Sequence, residues 1–228
     1  MSKRTSPYER ELDDILSAFD AAGVLQTPGV RKPALLLHAC CGPCSSYVIE
    51  YLARYFNITV LYYNPNIYPA QEYERRRDEL LAFYPRFPAA AGIKVVQGSY
   101  DPEEFYTATN VRNEKELQTE PEKGERCRCC YYLRLKKSYE YAAAHGFDWF
   151  TTTLSISPFK DAAKINAIGK ELEGVSDSGP RFLPSDFKKK GGFKRSLELS
   201  AEYGLYRQDY CGCVFSKTMT DSQRKPKT

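Results

Sequence analysis

Three groups of cysteines, far apart along the chain, constrain this sequence more than any other feature. HACCGPC holds Cys40, Cys41 and Cys44, ERCRCC holds Cys127, Cys129 and Cys130, and YCGC holds Cys211 and Cys213. Cys41 to Cys44 and Cys127 to Cys130 each have the C-x-x-C spacing that turns two thiolates toward one metal. Thiolates are the ligands preferred by iron-sulfur centres and by zinc. Read as one metal-bearing site, the three groups require a fold that brings three distant segments to one place.

The thiols are expected to be reduced. The N-terminal MSKRTSPYERELDDIL lacks the apolar stretch of a secretory signal, and no apolar run approaches the roughly 20 residues of a membrane-spanning helix. A cytoplasmic location follows as an expectation, with no membrane partner. With 33 basic and 29 acidic residues the net charge of +4 permits a polyanionic partner without requiring one.

The 228 residues suit one α/β core. Apolar spacing predicts a helix over Tyr8–Ala22, and the short run Ala34–His38 reads as a buried strand ending at the first cysteine group. Strands at Ile58–Tyr63, Ile93–Gln97 and Trp149–Leu154 then alternate with helices at Ser45–Tyr55, Gln71–Phe83 and Cys130–Ala144. Helices at Ala162–Leu172 and Phe193–Tyr203 follow. This rhythm predicts a parallel sheet with helices on both faces and functional groups at the carboxyl ends of its strands. Residues 1–32 read as an N-terminal helical extension, 33–216 as a single metal-binding α/β catalytic domain and 217–228 as a disordered tail.

Spacing alone leaves several chemistries open. One is a structural zinc bound by four thiolates, and another is a thioredoxin-like CGPC, in which a helix start lowers a thiol pKa. Adjacent Cys40 and Cys41 are expected to point apart and so not to serve one tetrahedral ion, and eight thiols exceed the needs of one centre. Two centres fit the count better. At the other strand ends, Asn64, Asn66, Thr153, Ser155, Ser157 and Lys160 read as one polar pocket facing HACCGPC. Arg75, Arg76 and Arg77, near Tyr62, Tyr63, Tyr68 and Tyr73, could stack bases and contact phosphates. Lys188, Lys189, Lys190 and Arg195 form a second basic run, and either run could equally be a solvated face.

Taken together, LLLHACCGPCSSYV, YYNPNIYPAQEYERRRDE, CRCCYYLRL, TTTLSISPFKD and YGLYRQDYCGCVFS resemble the QueH family of epoxyqueuosine reductases, from about Pro33 to Ser216. The resemblance implies a nucleotide-binding-like (HUP, Rossmann-like) fold carrying a 4Fe-4S cluster beside a second, mononuclear iron. It also implies reduction of epoxyqueuosine to queuosine in tRNA, at the wobble position. By position, Cys40, Cys41, Cys44, Cys127, Cys130, Cys211 and Cys213 match the family's metal-binding cysteines, whereas Cys129 is an extra thiol. Some relatives carry aspartate where this chain has Cys44. Substrate contacts are expected from Asn64, Asn66, Thr153, Ser157, Lys160, Arg76 and Arg77, and a proton from Asp161, Asp209 or Tyr63. With no evident flavin or nicotinamide motif, electrons are expected from an external ferredoxin- or flavodoxin-type donor. The alternative of another class is a zinc-stabilised RNA-binding module without redox activity. An adenylating enzyme of similar topology would need an SGGxDS-like loop after the first strand, where this chain has cysteines.

Overall fold

The computed structural model describes residues 6–23 and 31–224. In chain order its elements are α1 (Pro7–Ala21), β1 (Ala34–His38), α2 (Gly42–Leu52), β2 (Asn57–Tyr62), α3 (Ala70–Phe83), β3 (Lys94–Gln97), α4 (Pro102–Thr109) and α5 (Lys115–Thr119). There follow α6 (Glu125–Ala144), β4 (Trp149–Thr152), a 3-10 turn (Thr153–Ile156), α7 (Ala162–Glu173), β5 (Arg181–Phe182), α8 (Gly192–Glu202) and α9 (Val214–Arg224).

The five strands are all parallel, in the order β3-β2-β1-β4-β5. That is the order of a doubly wound, Rossmann-like sheet. Its connections run one way from β1 and the other way from β4, so a crevice opens beyond the carboxyl ends of these two neighbours. Strand β1 reads as an unbroken apolar run because both its faces are covered. Leu35 and Leu37 join Val60, Tyr62 and residues of α2 and α3 in one core, while Leu36 joins Leu61, Phe150 and residues of α6 and α7 in another.

Helix α1 is fixed by a reciprocal cap: Ser6 Oγ accepts from the Glu9 N–H at 3.2 Å, and Glu9 Oε2 accepts from the Ser6 N–H at 3.2 Å. The helix is part of the body rather than an extension from it. Its Leu12 and Leu16 lie in the first core, and Phe19 meets Phe56 and Trp149 edge-on. Residues 1–5, 24–30 and 225–228, the rest of the expected extension and tail, lie outside the described residues.

Residues 217–224, expected to lack structure, are helical instead. The segment has few apolar side chains. Phe215, Ser216, Met219 and Thr220 nevertheless fall on one helical stripe, and the last three line the cavity described below.

On the opposite core α7 comes close to β5 at a glycine. A Cβ built on Gly169 would lie 2.4 Å from two ring atoms of Phe182. Helix propensity favours alanine there by about 1 kcal/mol, but displacing a ring in a packed core costs about 1–3 kcal/mol. Packing should win. Gly169→Ala is expected to lower the thermal midpoint by roughly 2–4 °C per kcal/mol lost. A melt in which the variant is as stable as the parent would contradict this contact.

Candidate metal centre and its cavity

The first thiol group sits where β1 leaves the sheet for α2. The Ala39 N–H donates to Leu61 O at 3.0 Å and Asn64 Nδ2 donates to Ala39 O at 2.9 Å, which fixes the backbone just before Cys40. Behind it His38 is buried, with Nε2 donating to Tyr63 O at 3.0 Å and Nδ1 2.8 Å from Thr152 Oγ1. Burial, aided by the Arg134 charge, lowers its pKa to about 4, so the ring is a neutral tie between the ends of β1, β2 and β4.

Cys41 caps α2 with extended backbone (φ −174°, ψ 165°) and makes no side-chain cap bond, which leaves its sulfur free to face its neighbours. The sulfurs of Cys40, Cys41 and Cys44 all lie within 4.8 Å of one another, and those of Cys40 and Cys41 are 3.8 Å apart. The expectation that adjacent Cys40 and Cys41 point apart is therefore wrong. The chain turns from strand to helix at these residues, and the two side chains meet inside the turn. Thiolates about 2.3 Å from a tetrahedral ion lie roughly 3.8 Å from each other, so this group suits a single ion.

The second group is helical rather than a loop, because α6 begins five residues earlier than its apolar pattern suggests. Cys127 and Cys130 then stand at i and i+3 on one face of its first turn. Cys129 falls on another face, its thiol 3.5 Å from Glu125 Oε1.

The third group follows α8. Gly212 has φ +121°, and a Cβ there would come within 3.1 Å of Arg76 Nη1 and 3.2 Å of Ile67 Cγ1, so the turn between Cys211 and Cys213 needs glycine. The Cys211 N–H donates to Ser216 Oγ at 2.9 Å, and the Tyr68 N–H donates to Gly212 O at 2.7 Å. Cys213 packs with Cys130 and Phe105.

Two thiols are shifted toward the anionic form. Hydrogen bonding from Cys41 and Cys44, then the charge of Arg134, push the Cys40 pKa well down. Cys211 is pushed well down by hydrogen bonding from Cys213, then by Lys160 and Arg134. Their partners shift the other way. Hydrogen bonding to Cys40 raises Cys41 to about 12 and also raises Cys44, while burial raises Cys130 to about 11.

Buried cations complete the arrangement. Lys160 Nζ donates to Cys211 Sγ. Arg134 is only 2% exposed, and its Nε donates to Cys130 O at 3.2 Å. Burial works against both charges, and neighbouring sulfurs outweigh it: Cys211 for Lys160, and Cys130, Cys211 and Cys40 for Arg134. Cations this deep require an anionic counterpart. Several buried polar atoms beside the thiols also have no protein partner, among them Asn64 Oδ1, both side-chain atoms of Asn66, Arg134 Nη2 and Gln208 Oε1. Thiolate ligands around a metal centre fit the surplus of positive charge from Lys160 and Arg134.

A cavity of about 460 Å³ adjoins the thiols, within the range of small-ligand sites. Cys40, Cys44, Arg134, Thr153, Lys160 and Cys211 line it on the metal side, and Phe159, Arg207, Asp209, Tyr210, Met219 and Thr220 line it elsewhere. Of the expected substrate contacts, Thr153, Ser157 and Lys160 reach it. Asn64 and Asn66 are buried behind the thiol loops and do not.

Arg76 is a correction. It is 1% exposed, with Nε donating to Glu72 Oε1 at 2.7 Å and Nη1 to Cys211 O at 3.5 Å, so it supports the third thiol loop and cannot meet phosphate. Arg77 lies on the outside, paired with Asp78 at 2.8 Å. The other basic run is also engaged: Lys188 with Asp186, Lys190 with Asp13, and Arg195 with Glu50 through two hydrogen bonds.

Among the expected proton donors, Asp161 caps α7 by accepting from the Ala163 and Lys164 N–H groups, and the Tyr63 hydroxyl donates to Glu104. Neither lines the cavity, whereas Asp209 does. Sequence reading missed Arg134 and also Gln208, whose Nε2 donates to Cys41 Sγ at 3.1 Å. Arg134 follows Cys130 by four residues, a spacing that puts both on one helical face and could have revealed it.

A crevice at the switch point of a parallel sheet, lined by Cys40, Cys44 and Cys211 and by the buried cations Arg134 and Lys160, with Cys40, Cys41 and Cys44 close enough to share an ion, defines an α/β protein with a candidate thiolate metal centre. The sequence narrows this further. Residues 35–219 match the family described as Epoxyqueuosine reductase QueH, and the matched span includes all three thiol groups. Several curated relatives bear the name epoxyqueuosine reductase QueH. That of Streptococcus pyogenes serotype M1 is 39% identical over 93% of this chain and 78% of its own length. That of Staphylococcus epidermidis is 36% identical over 95% and 87%, and that of Thermotoga maritima 36% identical over 80% and 89%. The chain belongs to the epoxyqueuosine reductase QueH family. The solved U34-tRNA thiolase NcsA of Methanococcus maripaludis, with its 4Fe-4S cluster, aligns at a TM-score of 0.46 and 16% identity over 91% of this chain and 71% of its own, too remote to bear on the site.

Proposed function

We infer that this protein reduces the epoxide of epoxyqueuosine in tRNA to the alkene of queuosine. The observation that carries the reading is the family match over residues 35–219, which takes in every thiol of the centre. The zinc-stabilised RNA-binding module is not favoured, because it gives no account of that match. Removal of the oxygen consumes two electrons and two protons, breaks both carbon–oxygen bonds of the epoxide, and yields the alkene and water.

Cys127, Cys130, Cys211 and Cys213 would hold a 4Fe-4S cluster, and Cys40, Cys41 and Cys44, whose sulfurs are mutually close, would hold a further iron. When bound, such a pair supplies electrons one at a time and an open Lewis-acid position. The protein's own residues set the stage for that chemistry. Lys160 donates to Cys211, Gln208 steadies Cys41 through its Nε2, and the positive end of α2 faces the first group. Thr153 and Ser157 offer hydroxyls to a bound base, and Ser216, Met219 and Thr220 of α9 wall it from water. Asp209, on the cavity wall, is positioned to pass a proton.

Among the described residues no helix is long and apolar enough to cross a membrane. The reading places the enzyme in the cytoplasm, where its tRNA is, with a ferredoxin- or flavodoxin-type protein restoring two electrons per turnover.

Anaerobically purified protein is expected to be brown, to hold more than about four irons per chain with about four acid-labile sulfides, and to convert epoxyqueuosine tRNA when given a low-potential one-electron donor. Stoichiometric zinc with no sulfide, and no conversion, would overturn the function.

A further inference from the structure

We propose that Arg134 binds the oxygen that the reaction removes, donating from its unpaired guanidinium nitrogen to the epoxide and then to the departing oxygen. The proposal rests on the epoxide-reducing function above and adds a residue that touches the reacting atoms.

Three observations point to Arg134. First, one end of the guanidinium is anchored: Nε donates to Cys130 O at 3.2 Å, one turn back on α6, which fixes the plane of the group. Second, the other end is left over. Nη2 is buried and has no hydrogen-bond partner, although leaving a charged donor unsatisfied costs more than leaving a neutral one. Third, Arg134 lies on the cavity wall between the two kinds of thiol. Cys40 of the first group and Cys211 of the third line the same cavity, and both act on the Arg134 charge, as Cys130 does.

The chemistry needs such a donor here. As the carbon–oxygen bonds break, negative charge accumulates on the oxygen, and a fixed, fully charged guanidinium in a water-poor site stabilises it without reorganising. Lys160, the other buried cation on this wall, directs its ammonium at Cys211, whereas Arg134 has a whole guanidinium nitrogen without a protein partner. The step balances as the whole reaction does: two electrons from the iron-sulfur centre, resupplied by the external donor, and two protons leave the oxygen as water. Arg134 itself keeps its protons.

Substrate and product differ by this one oxygen, and the difference isolates the claim. Wild type, Arg134→Gln and Arg134→Lys are purified anaerobically, and their iron and sulfide are counted. Binding of epoxyqueuosine tRNA and of queuosine tRNA is then measured without an electron donor, so that nothing turns over. Wild type should prefer epoxyqueuosine tRNA, and Arg134→Gln should lose that preference by roughly 10- to 100-fold, as expected for a hydrogen bond to a charged donor. Its metal content and its affinity for queuosine tRNA should be unchanged. Arg134→Lys keeps the charge with a different reach and should fall between the two; it serves as the test if the glutamine variant does not fold.

An equal loss of affinity for both tRNAs would overturn the proposal, as would a wild type that binds both equally. Loss of iron and sulfide in both variants would overturn it in favour of Arg134 as a support of the centre. If wild type fails to convert epoxyqueuosine tRNA when given electrons, it is the functional reading that fails. If wild type converts it and Arg134→Gln keeps the preference, only the role of Arg134 fails.

Discussion

Cys44→Ala is expected to keep about four sulfides per chain while losing the additional iron, and its turnover should collapse. The sulfurs of Cys40, Cys41 and Cys44 are mutually close enough to share one ion, whereas Cys130 packs against Cys213 in the other group. If Cys44 holds a further iron as proposed, removing it should cost more than the roughly 10- to 100-fold that changes behind metal ligands cost. Cys44→Asp should keep some activity, because a carboxylate is an acceptable ligand for ferrous iron but a poor one at a cubane corner. Cys130→Ala, in contrast, should lose its sulfide together with most of its iron. Anaerobic iron and sulfide analysis of the three variants, alongside conversion of epoxyqueuosine tRNA, checks the division. Sulfide lost from Cys44→Ala and retained in Cys130→Ala would mean that the two thiol groups serve the opposite centres.

Arg76→Ala should be strongly destabilising, although the residue belongs to a run of arginines that looks like surface. It would leave Glu72 buried without its ion pair, and breaking a buried pair from one side costs about 3–5 kcal/mol. It would also remove the donor to Cys211 O and the cation that lies 5.2 Å from the Tyr210 ring centre, so the third thiol loop should loosen. The expected readout is a large drop in the urea midpoint together with lower iron occupancy. Arg77→Ala, one residue on and outside, should leave both near the parent values. Similar behaviour of the two variants would contradict the buried role of Arg76. An engineered Glu72→Gln, Arg76→Met pair, which removes both charges, should recover part of the stability.

How far the sequence could be read follows from what each residue's neighbours make visible. Strands β1, β2 and β4 were legible because their apolar runs answer to cores on both faces, and the thiol groups because few residues other than metal ligands recur as C-x-x-C. Helices α4 and α5 and the two-residue β5 were not, since their patterns are short and largely polar. The run Arg75 to Arg77 misled because charge does not say which way a side chain points. Arg76 shares the inner stripe of α3 with Glu72, Tyr73, Leu80 and Phe83. That stripe is recoverable from helical spacing, but only once a buried carboxylate is accepted as its companion. Asp161, chosen as a proton donor, is a helix cap, the commonest use of an aspartate just before a helix. The meeting of Cys40 with Cys41 depends on the turn from strand to helix, which no spacing rule reports.

Because the centre draws on the end of β1, the first turn of α6 and the loop after α8, its ligands appear at very different moments during synthesis. A chain made from the N-terminus exposes Cys40, Cys41 and Cys44 long before Cys211 and Cys213 exist. An ion met early finds three thiols and none of the buried cations that balance them, whereas the complete ligand set arises only with the finished sheet. Loading of a cluster held by the later segments would therefore come late and seal folding instead of guiding it. Since a ligand that binds only the native state stabilises it by mass action, cells short of iron should carry this enzyme as a folded but more easily degraded apoprotein, its abundance following the iron supply.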